Sequence, residues 1–324
     1  MAAPATALDW IRLLRLPNHA TVVADVAAGY LVAAGLRGDL AWPGPEAWWA
    51  VGAGVALYAA GMVLNDAYDL DIDRMERPER PLPRGVIARS TAFAAGGLLL
   101  VVGAAAACGA AFAGASPWPA FVGAGLVLAI WSYDSGLKAT AWGPVAMGIC
   151  RSLAWLLGLT AGGGPHGPQW LLPLGMGTYV AGITIFSRDE ALTVRASAPE
   201  GDARGPHHLT LRLGAAVMAA GLVLSSVPVW RLFGGDMPLP GTALPVSNWL
   251  LLWGIISASI LVRSLPALVS PAPAPIQAAV GNAILSIITL DAIHVLAECG
   301  ERWAFVILSL LVVPVVGRRL VPPT

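Results

Sequence analysis

The chain has 324 residues, 57% of them hydrophobic and only 12% charged, with a mean hydropathy of +0.71. A soluble domain usually carries about 25% charged residues, so the composition excludes an ordinary soluble globule and indicates a polytopic membrane protein. Acidic and basic residues balance at 19 each, and with no basic domain there is no basis for nucleic-acid binding.

In chain order, residues 1–17 form no continuous apolar run, because Asp9, Arg12 and Arg15 interrupt them. A cleavable signal peptide is therefore not expected, and the segment reads as a short amphipathic helix lying on the membrane. Apolar runs separated by Gly/Pro-rich or charged loops then predict spans near 20–37, 45–65, 90–113, 118–133, 143–161, 170–187, 211–231, 247–269, 276–297 and 302–317, the last of them short. The expectation is an all-α transmembrane bundle of nine or ten spans around a central cavity, forming one membrane domain over residues 1–324. Alternating sides from a cytoplasmic N-terminus places 14 of the 19 basic residues inside, as the positive-inside rule requires. That predicts an inner (plasma) membrane protein of bacterial type with both termini cytoplasmic. Polar loops at about 65–89, 134–142 and 188–211 then share the cytoplasmic face and can cover one cavity. Trp48, Trp49, Trp118 and Trp170 near span ends read as interfacial anchors. Cys108, Cys150 and Cys299 show no paired spacing and read as small core residues.

The most informative stretch follows the second span: Asn65-Asp66-Ala67-Tyr68-Asp69-Leu70-Asp71-Ile72-Asp73. Acids at the end of an apolar span are costly without compensation and mark a functional site. If the segment stays helical, Asp66, Asp69 and Asp73 share one face and Asp71 points elsewhere. Three convergent carboxylates suit Mg²⁺, which completes its shell with water and phosphate oxygens. The chemistry suggested is diphosphate handling at a membrane surface.

The pattern Asn65-Asp66-x-x-Asp69-x-x-x-Asp73, with Arg74 and then Arg80-Pro81-Leu82-Pro83-Arg84-Gly85, resembles the first signature of the UbiA superfamily of intramembrane prenyltransferases. The order of later elements is similar too: Tyr133 and Lys138 in the next cytoplasmic loop, a span carrying Arg151, and a polar loop after the sixth span. Residues 131–158 and 179–190 look most similar to the EboC-like branch. The resemblance implies transfer of an isoprenyl group from its diphosphate to a hydrophobic, possibly aromatic acceptor, in contact with membrane lipid. The same scaffold is compatible with a terpene cyclase or a non-catalytic lipid-binding protein. By this resemblance Asp66, Asp69, Asp73 and Asp189 are metal ligands. Asn65, Arg74, Tyr133 and Lys138 contact the diphosphate, and Arg188 offers a further phosphate contact. The second acidic motif is thin, because Thr193 stands where another acid is expected.

Other polar residues have two readings each. Arg151 either faces the cavity or pairs with a neighbouring helix. Asn18 either lines the acceptor side or caps a helix. Asp291 and His294, three residues apart in the ninth span, either pair with each other or handle an acceptor proton.

Overall fold

A computed structural model describes residues 5–35, 42–196, 208–233, 239, 242 and 244–320. The chain forms helices α1 (Ala7–Leu14), α2 (His19–Gly35), α3 (Pro45–Tyr68), α4 (Leu70–Glu76), α5 (Arg89–Ala113), α6 (Trp118–Ser135) and α7 (Gly143–Ala161). These are followed by α8 (Leu171–Ala196), α9 (His208–Phe233), α10 (Val246–Val269), α11 (Pro273–Cys299), α12 (Glu301–Ser309) and α13 (Val312–Leu320). Among the described residues, seven helices (α3, α5 and α7 to α11) are long and apolar enough to cross a membrane. With α2 and α6 there are nine long helices among the described residues. The tenth expected span, 302–317, is divided at Leu310–Leu311 between α12 and α13, each nine residues long. Neither half alone reaches the roughly 20 residues a crossing needs.

The amino-terminal segment forms the short amphipathic helix expected of it, and its apolar face packs on the protein. Thr6 and Asp9 form a capping box that starts α1. Leu13 is then fully buried with Val63, Ala67, Leu82 and Ile87, which fastens α1 to the end of α3 and the following loop.

Small residues set how closely the helices approach. A Cβ on Gly158 would run into the Val26 carbonyl, and one on Gly29 into the Trp155 carbonyl. Only glycine at both positions lets α2 and α7 cross backbone to backbone, the close-packing device of membrane helices. Around that crossing lies the core, with Trp155, Tyr179 and Trp249 fully buried. Each aromatic polar group is satisfied: Tyr179 OH donates to the Ala283 carbonyl at 2.9 Å and Trp249 Nε1 to the Ile293 carbonyl at 2.8 Å.

Antiparallel threading brings the carboxyl ends of α3, α6 and α8 to one end of the bundle, where α1 also sits. Trp48 and Trp49 near the start of α3, Trp118 at the start of α6 and Trp170 just before α8 lie at the opposite end, and all four are exposed. That placement suits interfacial anchoring.

Candidate active site

The acid-bearing end is held together by ion pairs between segments far apart in sequence. Asp66 lies in the last turn of α3 and is buried. It accepts from Arg15 Nη2 at 2.6 Å and faces Arg80 Nη1 at 3.5 Å. The backbone pauses at Asp69 between α3 and α4, yet the hydrogen bonds continue: Asp69 N–H donates to the Asn65 carbonyl at 2.9 Å, and Asp73 N–H to the Asp69 carbonyl at 2.8 Å. The three spaced aspartates therefore stay on one side. Asp73 accepts from Arg80 Nη1 at 2.8 Å, and Asp69 meets Lys138 Nζ at 2.7 Å. Lys138 Nζ also donates to Asn65 Oδ1 at 3.2 Å and lies 6.0 Å from the Tyr68 ring centroid.

Two features aim the cations. Arg15 ends α1 with φ of 50° and ψ of 46°, a left-handed conformation uncommon for a residue with a side chain. Such strain costs about 1–3 kcal/mol, and here it turns the chain so that the guanidinium reaches Asp66. Arg80 sits in the turn after α4 with only 6% of its side chain exposed. Burial lowers the Arg80 pKa from its ordinary 12.5, and the neighbouring Arg15 lowers it further, while Asp66 and Asp73 oppose the shift.

Beneath this cluster a cavity of about 250 Å³ runs between α2, α3, α6 and α7. Arg15, Asn65, Tyr133 and Asp134 line its mouth, and Leu57, Met62, Leu126, Ile130 and Met147 its walls. Gly54 and Asn65 both line it and lie eleven residues apart on α3, which corresponds to about 16 Å of helix. Deep in the cavity Arg151 donates to Asp25. Arg151 thus does both things foreseen for it: it lines the cavity and pairs with a neighbouring helix.

Several expected residues are placed elsewhere. Arg74 does not join the acids at the mouth. Next to Asp73 on a helix it points about 100° away, is exposed and pairs with Asp71 at 3.0 Å. Asn18 does not line the cavity; it closes a 3₁₀ turn before α2, and its carbonyl accepts from Thr21 Oγ1 at 2.9 Å. Asp291 and His294 do not pair with each other. Asp291 accepts from Trp155 Nε1 at 3.1 Å, while His294 is packed among Trp155, Trp249 and Trp253 with neither ring nitrogen hydrogen-bonded. Arg188 holds the loop after α6, donating to the carbonyls of Lys138 and Thr140. Asp189 lies in α8, and its side chain is outside the described residues.

Sequence reasoning missed Asp25 altogether, and gave Arg15 and Arg80 no role at the site. A lone acid in the apolar run 20–37 was the available signal for Asp25. Arg80 stood in the Arg80-Pro81-Leu82-Pro83-Arg84-Gly85 continuation of the first signature but read as a topology determinant, and for Arg15 no local signal separates the two readings.

The fold and site define an integral membrane helical bundle whose central apolar cavity opens under a compensated cluster of carboxylates. The model of the UbiA prenyltransferase family matches residues 22–264, and the chain belongs to that family. It is similar to a digeranylgeranylglyceryl phosphate synthase of Methanoregula boonei, 32% identical over 197 residues, which is 57% of this chain and 65% of the relative. A Thermococcus onnurineus protein of the same name is 49% identical over 49 residues, 15% of this chain and 18% of the relative. The matched segments thus cover less than two thirds of these relatives. Among solved structures, a UbiA homolog from Archaeoglobus fulgidus has a TM-score of 0.64 at 14% identity, covering 93% of this chain and 99% of that one. Its form bound to GPP and Mg²⁺ has a TM-score of 0.61, with the same identity and coverage. A digeranylgeranylglyceryl phosphate synthase structure has a TM-score of 0.63 at 17% identity, covering 90% of this chain and 98% of that one.

Proposed function

We propose that this protein is a Mg²⁺-dependent prenyltransferase, moving an isoprenyl group from its diphosphate to a hydrophobic acceptor inside the cavity. The observation that carries the reading is the convergence of Asp66, Asp69 and Asp73 with Arg15, Arg80 and Lys138 over an apolar cavity. The prenyl-transfer activity for which the similar synthases are named, and the GPP and Mg²⁺ in the Archaeoglobus fulgidus neighbour, support it.

The donor set fits a hard divalent cation in kind. No three acids close on one point among the described residues, but carboxylate and amide oxygens of Asn65, Asp66 and Asp69 stand together at the mouth. Asp134 Oδ2, buried there without a hydrogen-bond partner, is an acceptor that a cation satisfies. Asp66 and Asp69 would hold Mg²⁺, with Asp73 supporting them through Arg80 and Asp189 assigned as a further ligand by resemblance alone. When bound, the ion supplies Lewis-acid stabilisation of charge on the departing diphosphate.

The chain's own side chains do the rest. Asp66, Asp69 and Asp73 are already paired with Arg15, Arg80 and Lys138, so the mouth offers no surplus positive charge to a naked anion and accepts one accompanied by a divalent cation. Lys138 and Arg15, both partly exposed, neutralise phosphate oxygens as the allylic carbon–oxygen bond breaks. Tyr133 orients the same oxygens by a hydrogen bond. Leu57, Met62, Leu126 and Ile130 keep water from the allylic carbon until the acceptor attacks. Within the family, residues 131–158 and 179–190 support placement in the EboC-like branch, and the distribution of arginine and lysine supports a cytoplasmic mouth.

The test is diphosphate release by the purified, detergent-solubilised protein from isoprenyl diphosphates of several lengths, with and without Mg²⁺. Release that requires the metal and disappears in Asp66→Ala/Asp69→Ala is the expected result. Binding of the diphosphate without metal-dependent release, across a panel of acceptors, would mark a non-catalytic binder instead.

A further inference from the structure

The deepest polar feature of the cavity is an ion pair in an otherwise apolar chamber. Arg151 of α7 keeps 12% of its side chain exposed, while Asp25 of α2 is 0% exposed and lies against it; both line the cavity. Asp25 Oδ1 is buried without a hydrogen-bond partner. The pair is held in place by the α2–α7 crossing at Gly29 and Gly158, so its position is built into the fold.

A hydrocarbon tail laid over this pair would leave the remaining guanidinium donors and Asp25 Oδ1 unpaired, at the desolvation cost of buried charged groups. A polar ligand group is therefore the better occupant. Its charge follows from arithmetic. Arg151 contributes +1 and Asp25 −1, and Asp291, the other acid within electrostatic reach of Arg151, can add only negative charge. A carboxylate brought here would be an uncompensated anion in a low-dielectric chamber. A hydroxyl adds no charge and can accept from Arg151 while donating to Asp25 Oδ1; a carboxamide can do the same but is the poorer nucleophile for prenyl transfer.

We propose that the Asp25–Arg151 pair is the acceptor-recognition site, that it takes an uncharged hydroxyl-bearing acceptor, and that it rejects acceptors presenting a carboxylate there. This rests on the prenyl-transfer reading of the same cavity, and names the acceptor class that reading leaves open.

The experiment is a binding titration of two matched probes, 3-phenylpropan-1-ol and 3-phenylpropanoate, to the detergent-solubilised full chain at neutral pH. The wild type is expected to bind the alcohol at least about tenfold more tightly, a difference of about 1.4 kcal/mol. In Asp25→Asn the freed Arg151 charge should reverse the preference toward the carboxylate. Because removing one partner of a buried pair can unfold a protein, the charge-free double variant Asp25→Asn/Arg151→Gln gives a second reading, with discrimination reduced to below about threefold. Equal binding of the two probes by the wild type, tighter carboxylate binding, or an alcohol preference that persists in either variant overturns the proposal. Metal-dependent diphosphate release, measured separately, reports on prenyl transfer itself, so failure of that reading is distinguishable from failure of this one.

Discussion

Arg80 and Arg74 sit six residues apart and carry the same charge, yet they should differ by several kcal/mol when truncated. Arg80 has 6% of its side chain exposed and lies 2.8 Å from Asp73 and 3.5 Å from Asp66, whose own side chains are 5% exposed. Truncating it to alanine strands Asp73 as a buried carboxylate and leaves Asp66 with Arg15 as its ion-pair partner. Removing one member of a buried pair costs about 3–5 kcal/mol. Arg74 pairs with Asp71 at 3.0 Å, but the two side chains are 59% and 68% exposed. An exposed pair of this kind contributes about 0–1 kcal/mol. Arg80→Ala should therefore lower the unfolding free energy of the detergent-solubilised protein by about 3 kcal/mol or more, and Arg74→Ala by less than about 1 kcal/mol. Denaturant titration followed by tryptophan fluorescence reads both. The diphosphate-release assay should move in parallel, because Asp66 loses the guanidinium that positions it from behind. Equal losses in the two variants, or a loss below about 1 kcal/mol in Arg80→Ala, would refute the claim that burial separates site arginines from topology arginines.

Lys138→Met keeps the aliphatic stem and removes the charge that meets Asp69 at 2.7 Å; diphosphate release should fall by about 10- to 100-fold, within the range of electrostatic donors to a leaving group, whereas Arg188→Met, whose hydrogen bonds among the described residues go to backbone carbonyls, should act through loop order and show a smaller loss. Gly158→Leu forces a side chain into the Val26 carbonyl, so α2 and α7 must separate; an overpacking penalty of at least about 1–3 kcal/mol is expected, and limited proteolysis of the purified variant checks it. Asp9 is held below its ordinary carboxyl value of 3.8, first by hydrogen bonds from Thr6 and then by the nearby Arg84 and Arg12. A depressed folded-state pKa gives stability that is present above 3.8 and is lost as pH falls through the folded value. Asp9→Asn should therefore flatten the acid limb of the stability curve, measured between pH 3 and 6, and leave the neutral limb with the same slope.

How much of this was legible in the sequence depends on whether the signal is periodic or three-dimensional. The apolar runs announced the helices because membrane thickness fixes their length, and the spacing of Asp66, Asp69 and Asp73 announced a shared face because helix geometry fixes it. The break at Asp69 did not spoil that inference, since the hydrogen bonds from Asp69 to Asn65 and from Asp73 to Asp69 carry the face across it. Partner choice was not legible. Asp291 and His294 have ideal spacing for a pair, but Trp155 from another helix took the carboxylate. Arg74 has ideal proximity in sequence, but proximity of one residue on a helix means divergence in space. Arg15 reaches Asp66 across 51 residues only because the chain adopts a left-handed turn there; Pro17 marks the end of the helix, but nothing in the letters marks the turn as left-handed. The residue that should have been found is Asp25. A charged side chain inside an apolar run needs a partner or a polar cavity to be tolerated in lipid, and it required no periodicity to notice. Spacing therefore identifies carboxylates that act together, whereas isolation within an apolar run identifies those whose partner lies on another helix. In this chain the first rule finds the mouth of the cavity and the second finds its floor.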